Sequence, residues 1–147
     1  MNSISRIFKV ASIVVTLTLG VAVAHAATLN FKADLKAASE VPPKSSDGTG
    51  TLTGTLDTST NEFKYHVEFK GLTGPAVAAH FHGPAAEGTN AKPQVAIKES
   101  PISSPIDGSA TLTPEQAKDL EAGKWYFNLH TQANPGGEIR GQVLKAE

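Results

Sequence analysis

Short apolar–polar alternations, turn residues at close intervals and a single helix-start signal predict an all-β chain, a Greek-key β-sandwich of about eight strands with one short crossover helix. Leu29, Phe31, Ala33 and Leu35 alternate with Asn30, Lys32 and Asp34, which makes a half-buried first strand. Val41-Pro42-Pro43 through Gly48 is a loop, because two prolines cannot donate to a ladder. Thr51 to Asp57 follows, with Leu52 and Leu56 inward and three threonines outward. Ser59-Thr60-Asn61 turns it into Phe63 to Lys70, where Phe63, Tyr65, Val67 and Phe69 share one face and Lys64, His66, Glu68 and Lys70 the other.

Gly71 to Pro75 leads into Ala76 to His82, with Val77, Ala79 and Phe81 on the inward parity. A long loop, Gly83 to Pro93, precedes a brief strand from Gln94 to Lys98, and a further strand is expected over Ser109 to Leu112. Thr113-Pro114-Glu115-Gln116 is a capping box, with Thr at the N-cap, Pro at the first helical position and Gln at the third. Gly123 supplies the C-terminal stop of that short helix. Trp125 to His130 and Glu138 to Leu144 are the closing strands.

The first residues read as an export signal. Arg6 and Lys9 precede an apolar run from Val10 to Val23, and Ala24-His25-Ala26 fits the small-x-small cleavage rule. The expected division is a signal peptide over residues 1–26 and one domain over residues 27–147, delivered to the periplasm or secreted, with no membrane attachment after cleavage. Losing Arg6 and Lys9 takes the basic side chains from 13 to 11 against 14 acidic ones, a net charge of −3. Nucleic acid is not an expected partner of so mildly acidic a domain. Cysteine is absent and the only methionine is Met1, which excludes disulfides, thiolate chemistry and sulfur-ligated copper.

The chemistry concentrates on histidine. Residues i and i+2 of a strand project to one face roughly 6.5–7 Å apart. His80 and His82 stand in that relation, and Ala78 leaves room beside them. His130 occupies the outward parity of its own strand together with Tyr126 and Asn128, and Arg140 does so on the next. A metal ion bound by His80, His82 and His130 on an outer sheet face is therefore expected, with His66 as a fourth candidate ligand. Tyr126, Asn128 and Arg140 would flank it, Arg140 attracting an anion. Imidazole ligation suits divalent copper, zinc or nickel; copper is the expected ion, zinc the next. The competing reading is a metal-free module in which Tyr126, Asn128 and the Thr131 to Gly137 loop meet a protein partner. No nucleophile motif, phosphate cradle or carboxylate pair stands out.

As a set, Glu40-Val41-Pro42-Pro43, Ala79-His80-Phe81-His82-Gly83-Pro84-Ala85, Trp125 to Thr131 and Asn134 to Gln142 resemble the CHRD (chordin-type) domain. That resemblance spans Leu29 to Leu144 and implies a β-sandwich in an extracytoplasmic setting. A fainter similarity is to the Cu,Zn superoxide dismutases, sandwiches that also carry a His-x-His strand, a late histidine and a late arginine. It implies copper ligation by His80, His82 and His130 and, if the chain is an enzyme, a copper-only superoxide dismutase-like oxidoreductase. The dismutase disulfide and a zinc subsite in the Gly83 to Pro93 loop are missing from this chain.

Overall fold

The computed structural model describes residues 26–147; the export signal expected over residues 1–26 lies, apart from Ala26, outside the described residues. Eight strands follow in order: β1 (Thr28–Lys36), β2 (Thr49–Asp57), β3 (Glu62–Lys70), β4 (Ala76–His82), β5 (Pro93–Ala96), β6 (Ile106–Thr111), β7 (Trp125–Thr131) and β8 (Ile139–Lys145). The helix α1 (Pro114–Glu121) connects β6 to β7. Its capping box is fully formed, Thr113 Oγ1 accepting from the Gln116 amide and Gln116 Oε1 from the Thr113 amide. Among the described residues no helix is long and apolar enough to cross a membrane.

All pairings are antiparallel, in the order β5-β4-β7-β8-β1-β2-β3-β6. The late strand β8 thus returns to lie beside β1, next to the β1-β2-β3 meander. One sheet therefore makes both layers. It curls until its ends approach, and Phe63 and Tyr65 of β3 pack edge-on against Phe81 of β4 at centroid distances of 5.4 and 5.0 Å. Phe127 also meets Phe81, at 4.8 Å between centroids. Each such aromatic pair contributes about 0.5–1.5 kcal/mol beyond the burial of its area. Gly54 faces inward on β2 because a Cβ there would stand 2.7 Å from the Phe63 ring.

The expected inward residues Phe31, Leu35, Leu52, Leu56, Phe63, Val67, Phe81, Trp125, Phe127, Leu129, Ile139 and Val143 are all fully buried. Val77 departs from expectation, being 53% exposed. The β4–β7 register shifts between Ala76 and Ala78, so Ala76 and Ala79 turn inward and Val77 is displaced to the surface. The sixth strand starts at Ile106 rather than Ser109, because β6 pairs with β3 from Val67 to Glu62, beginning with the buried Ile106. β7 is buried along its entire length, on both faces. Its inward face meets the core; loops cover its outward face, and the histidines lie under them.

Candidate metal centre

The β4–β7 ladder sets the site. His80 pairs with Asn128, Ala78 with His130 and His82 with Tyr126. Outward parity puts all six side chains on one face, and Ala78 opposite His130 leaves the space into which the imidazoles lean. His80 Nδ1 lies 3.1 Å from His130 Nε2. One ring nitrogen from each of His80, His82 and His130 can be chosen so that all three lie within 4.8 Å of one another. Ligands bound at about 2 Å are about 3.3 Å apart in a tetrahedron and at most about 4 Å apart across an ion, so the widest pair would have to close by up to about 1.5 Å to bind one.

Two backbone carbonyls orient the rings. His82 Nδ1 donates to the Ala91 carbonyl at 2.9 Å, and His130 Nδ1 donates to the Pro135 carbonyl at 2.9 Å. A carbonyl only accepts, so in its neutral form each ring carries its hydrogen on Nδ1 and presents a bare Nε2 to the centre. Burial lowers the pKa of His80, with the neighbouring histidine charges adding to the effect. Burial also lowers that of His82, against the hydrogen bond to the Ala91 carbonyl, which raises it. Neutral imidazoles are the form that ligates metal.

The site lies on the outer side of the sheet and is nevertheless covered. His82 and His130 are 8% and 9% exposed, and His80 is half-buried. Loop 83–93 makes the roof. Tyr126 stacks parallel on the His82 ring at 4.7 Å, and its hydroxyl receives the Ala91 amide at 3.2 Å. The Arg140 guanidinium lies 3.4 Å over the centroid of the same tyrosine. Its Nη1 donates to Asn90 Oδ1 at 2.8 Å and its Nη2 to the Thr89 carbonyl at 2.5 Å. Arg140 is 2% exposed, so it braces the loop that carries Ala91 and is not an open receptor for an anion. The sequence reading gave Arg140 an anion-attracting role; the structure places its guanidinium in the roof.

His66 lies apart from the other three. It stands on β3, where Nδ1 binds Asp107 of β6 at 2.6 Å, and it does not join the group formed by the other three. The Asp107 hydrogen bond raises its pKa, the usual response of an imidazole to a carboxylate partner.

Two buried carboxylates escaped the sequence reading. Glu40, 4% exposed, packs beside Asn128, and burial raises its pKa against the Arg140 charge and the Asn128 amide. Glu138 is fully buried without a cation. It accepts from Ser46 Oγ (2.6 Å), the Thr73 amide and hydroxyl (2.8 and 2.7 Å), Thr131 Oγ1 (2.6 Å) and Asn134 Nδ2 (3.2 Å). Burial pushes this carboxyl up, but the hydrogen bonds outweigh it and hold the pKa at about 2. Glu138 thereby ties three loops together, including the one that brings the Pro135 carbonyl to His130. Both stand in stretches that carry the family resemblance, but alternation says nothing about loops and gave neither a role.

A family model described as the CHRD domain matches residues 31–143. In the same comparisons neither a curated protein nor a solved structure matches. The matched span covers every strand from β1 to β8 and all three clustered histidines, and the chain belongs to the CHRD domain family.

Proposed function

We propose that this chain is an exported CHRD-domain protein that binds one copper ion, or zinc in its place, through His80, His82 and His130. One observation carries the reading: three ring nitrogens within 4.8 Å of one another, two of them on rings whose other nitrogen is pinned to a backbone carbonyl. Exposed histidines have no need of such a frame, whereas metal-ligating histidines are characteristically oriented in this way. The absence of sulfur ligands favours a divalent ion, and copper heads the divalent affinity series. Export is supported by the basic and apolar leader with its Ala24-His25-Ala26 cleavage motif, and by a family whose domains occur in extracellular proteins. With Arg140 turned into the roof, the dismutase reading loses the group that would have drawn superoxide to the metal.

Metal analysis with electron paramagnetic resonance tests the proposal. The purified protein is expected to hold one copper per chain with nitrogen hyperfine structure, and the His80→Ala/His82→Ala double variant to lose it. Copper at unchanged stoichiometry in the double variant would place the ion elsewhere. A native protein that takes up no metal would leave the protein-interaction module as the working account.

A further inference from the structure

Beneath the three histidines, Asn128 is 3% exposed, and its Oδ1 lies 3.0 Å from His82 Nε2 and 3.0 Å from His130 Nε2. In the neutral rings both of these nitrogens are bare, because the Ala91 and Pro135 carbonyls take the hydrogens on the other side of each ring. Three lone-pair atoms thus converge with no hydrogen among them. That arrangement is repulsive by itself and becomes favourable once a cation sits between the atoms.

Separations of 3.0–3.1 Å between neighbouring donor atoms, with His80 Nδ1 to His130 Nε2 included, come close to the edge of about 3.3 Å expected of a tetrahedron with bonds of about 2 Å. The amide cannot turn over freely. Its Nδ2 lies on the side of the buried Glu40, whose Oε1 has no hydrogen-bond partner, and reversal would turn the carboxamide oxygen toward that unpaired oxygen. Gly137 makes the approach of the two groups possible. It sits at φ +125°, and a Cβ there would run into Glu40 Oε1 and stand 2.7 Å from Asn128 Nδ2.

We infer that Asn128 is the fourth ligand of the centre, its carboxamide oxygen completing a three-nitrogen, one-oxygen set around a divalent cation, with Glu40 as the positioning residue that presents that oxygen. The inference rests on the metal reading of the histidines and sharpens it. A hard oxygen beside three imidazoles disfavours the cuprous ion. Four protein ligands also make a closed centre, the kind that holds a metal in place, in contrast to a catalytic centre with one position left for substrate.

Zinc titration of the purified protein and of three variants tests this. Asn128→Ala is expected to bind zinc about 10–100-fold more weakly, and Asn128→Asp, which keeps an oxygen and adds charge, at least as tightly as the native chain. In native protein carrying carbon-13 at the Asn128 carboxamide, zinc shifts that carbon; in Glu40→Gln most of the shift and about tenfold of the affinity are lost. The carbon-13 measurement decides the matter even if Asn128→Ala does not fold. An unshifted carboxamide carbon, or native affinity in a folded Asn128→Ala, overturns Asn128 as a ligand while leaving the histidine site standing. Failure of zinc to bind the native chain overturns the histidine site itself.

Discussion

His82 shows how much one side chain can be constrained. Its Nδ1 is held by a loop carbonyl, its face is stacked on Tyr126 and its Nε2 points at the centre. Under the proposed ligation, replacing His82 or His130 by alanine would remove a ligand outright, so each variant is expected to lose more metal affinity than the roughly 10–100-fold that follows loss of an outer partner. Isothermal titration with copper or zinc measures this. Gly137→Ala meets both the left-handed backbone and the Glu40–Asn128 contact; it is expected to lower stability by about 1–3 kcal/mol in urea unfolding and to weaken metal binding as well. At this scale the three histidines were legible, because strand parity places them without knowledge of the loops. Glu40 and Glu138 were not, since a carboxylate is buried only where separate loops meet over it, and no local pattern records that meeting. Arg140 was placed on the correct face, but its bonds to the roof could not be foreseen because the roof comes from residues some fifty positions earlier in the chain.

Among the elements, β4 links core and site most directly. Phe81 is fully buried among Phe63, Tyr65, Trp125 and Phe127, and its two sequence neighbours are His80 and His82. The alternation that buries the phenylalanine in the core is the same alternation that turns the two imidazoles to the opposite face of the sheet. Phe81→Ala is expected to cost about 3–5 kcal/mol of stability and, by loosening β4, to weaken metal binding in whatever fraction remains folded. Chemical denaturation followed by tryptophan fluorescence checks the first part, since Trp125 lies against Phe81. The strands and the capped helix could be read from period and turn chemistry. The bulge that exposes Val77 could not, because a register shift depends on the partner strand, and nothing in Ala76-Val77-Ala78 encodes it.

For the molecule as a whole, eight strands hold together without a disulfide, and the loops at the site end are fastened by Glu138. This gives an acid limb with a definite sign. The folded pKa of about 2 lies below the ordinary value of 4.5, so the contribution is fully present above about pH 4.5 and disappears as pH falls toward 2. The size of the shift corresponds to roughly 3 kcal/mol. Glu138→Gln is expected to be less stable at neutral pH and to show a flatter loss of stability between pH 4.5 and 2, measured by urea unfolding across that range. His66 has the opposite sign. Its pKa is raised by Asp107, so that pair stabilises the fold below about pH 6.5 and ceases to do so as pH rises through the folded value, although its exposed position keeps the effect small. The all-β class was legible from the sequence, whereas the curling of a single sheet into both layers was not, because pairing order is a long-range property.

The central claim is that His80, His82 and His130 share one ion, and anomalous X-ray diffraction from crystals of the copper- or zinc-loaded protein tests it most directly. The account predicts a single anomalous peak within about 2 Å of the His82 and His130 Nε2 atoms and of a His80 ring nitrogen. A peak at His66 and Asp107, or loaded crystals with no peak at the three histidines, would contradict it.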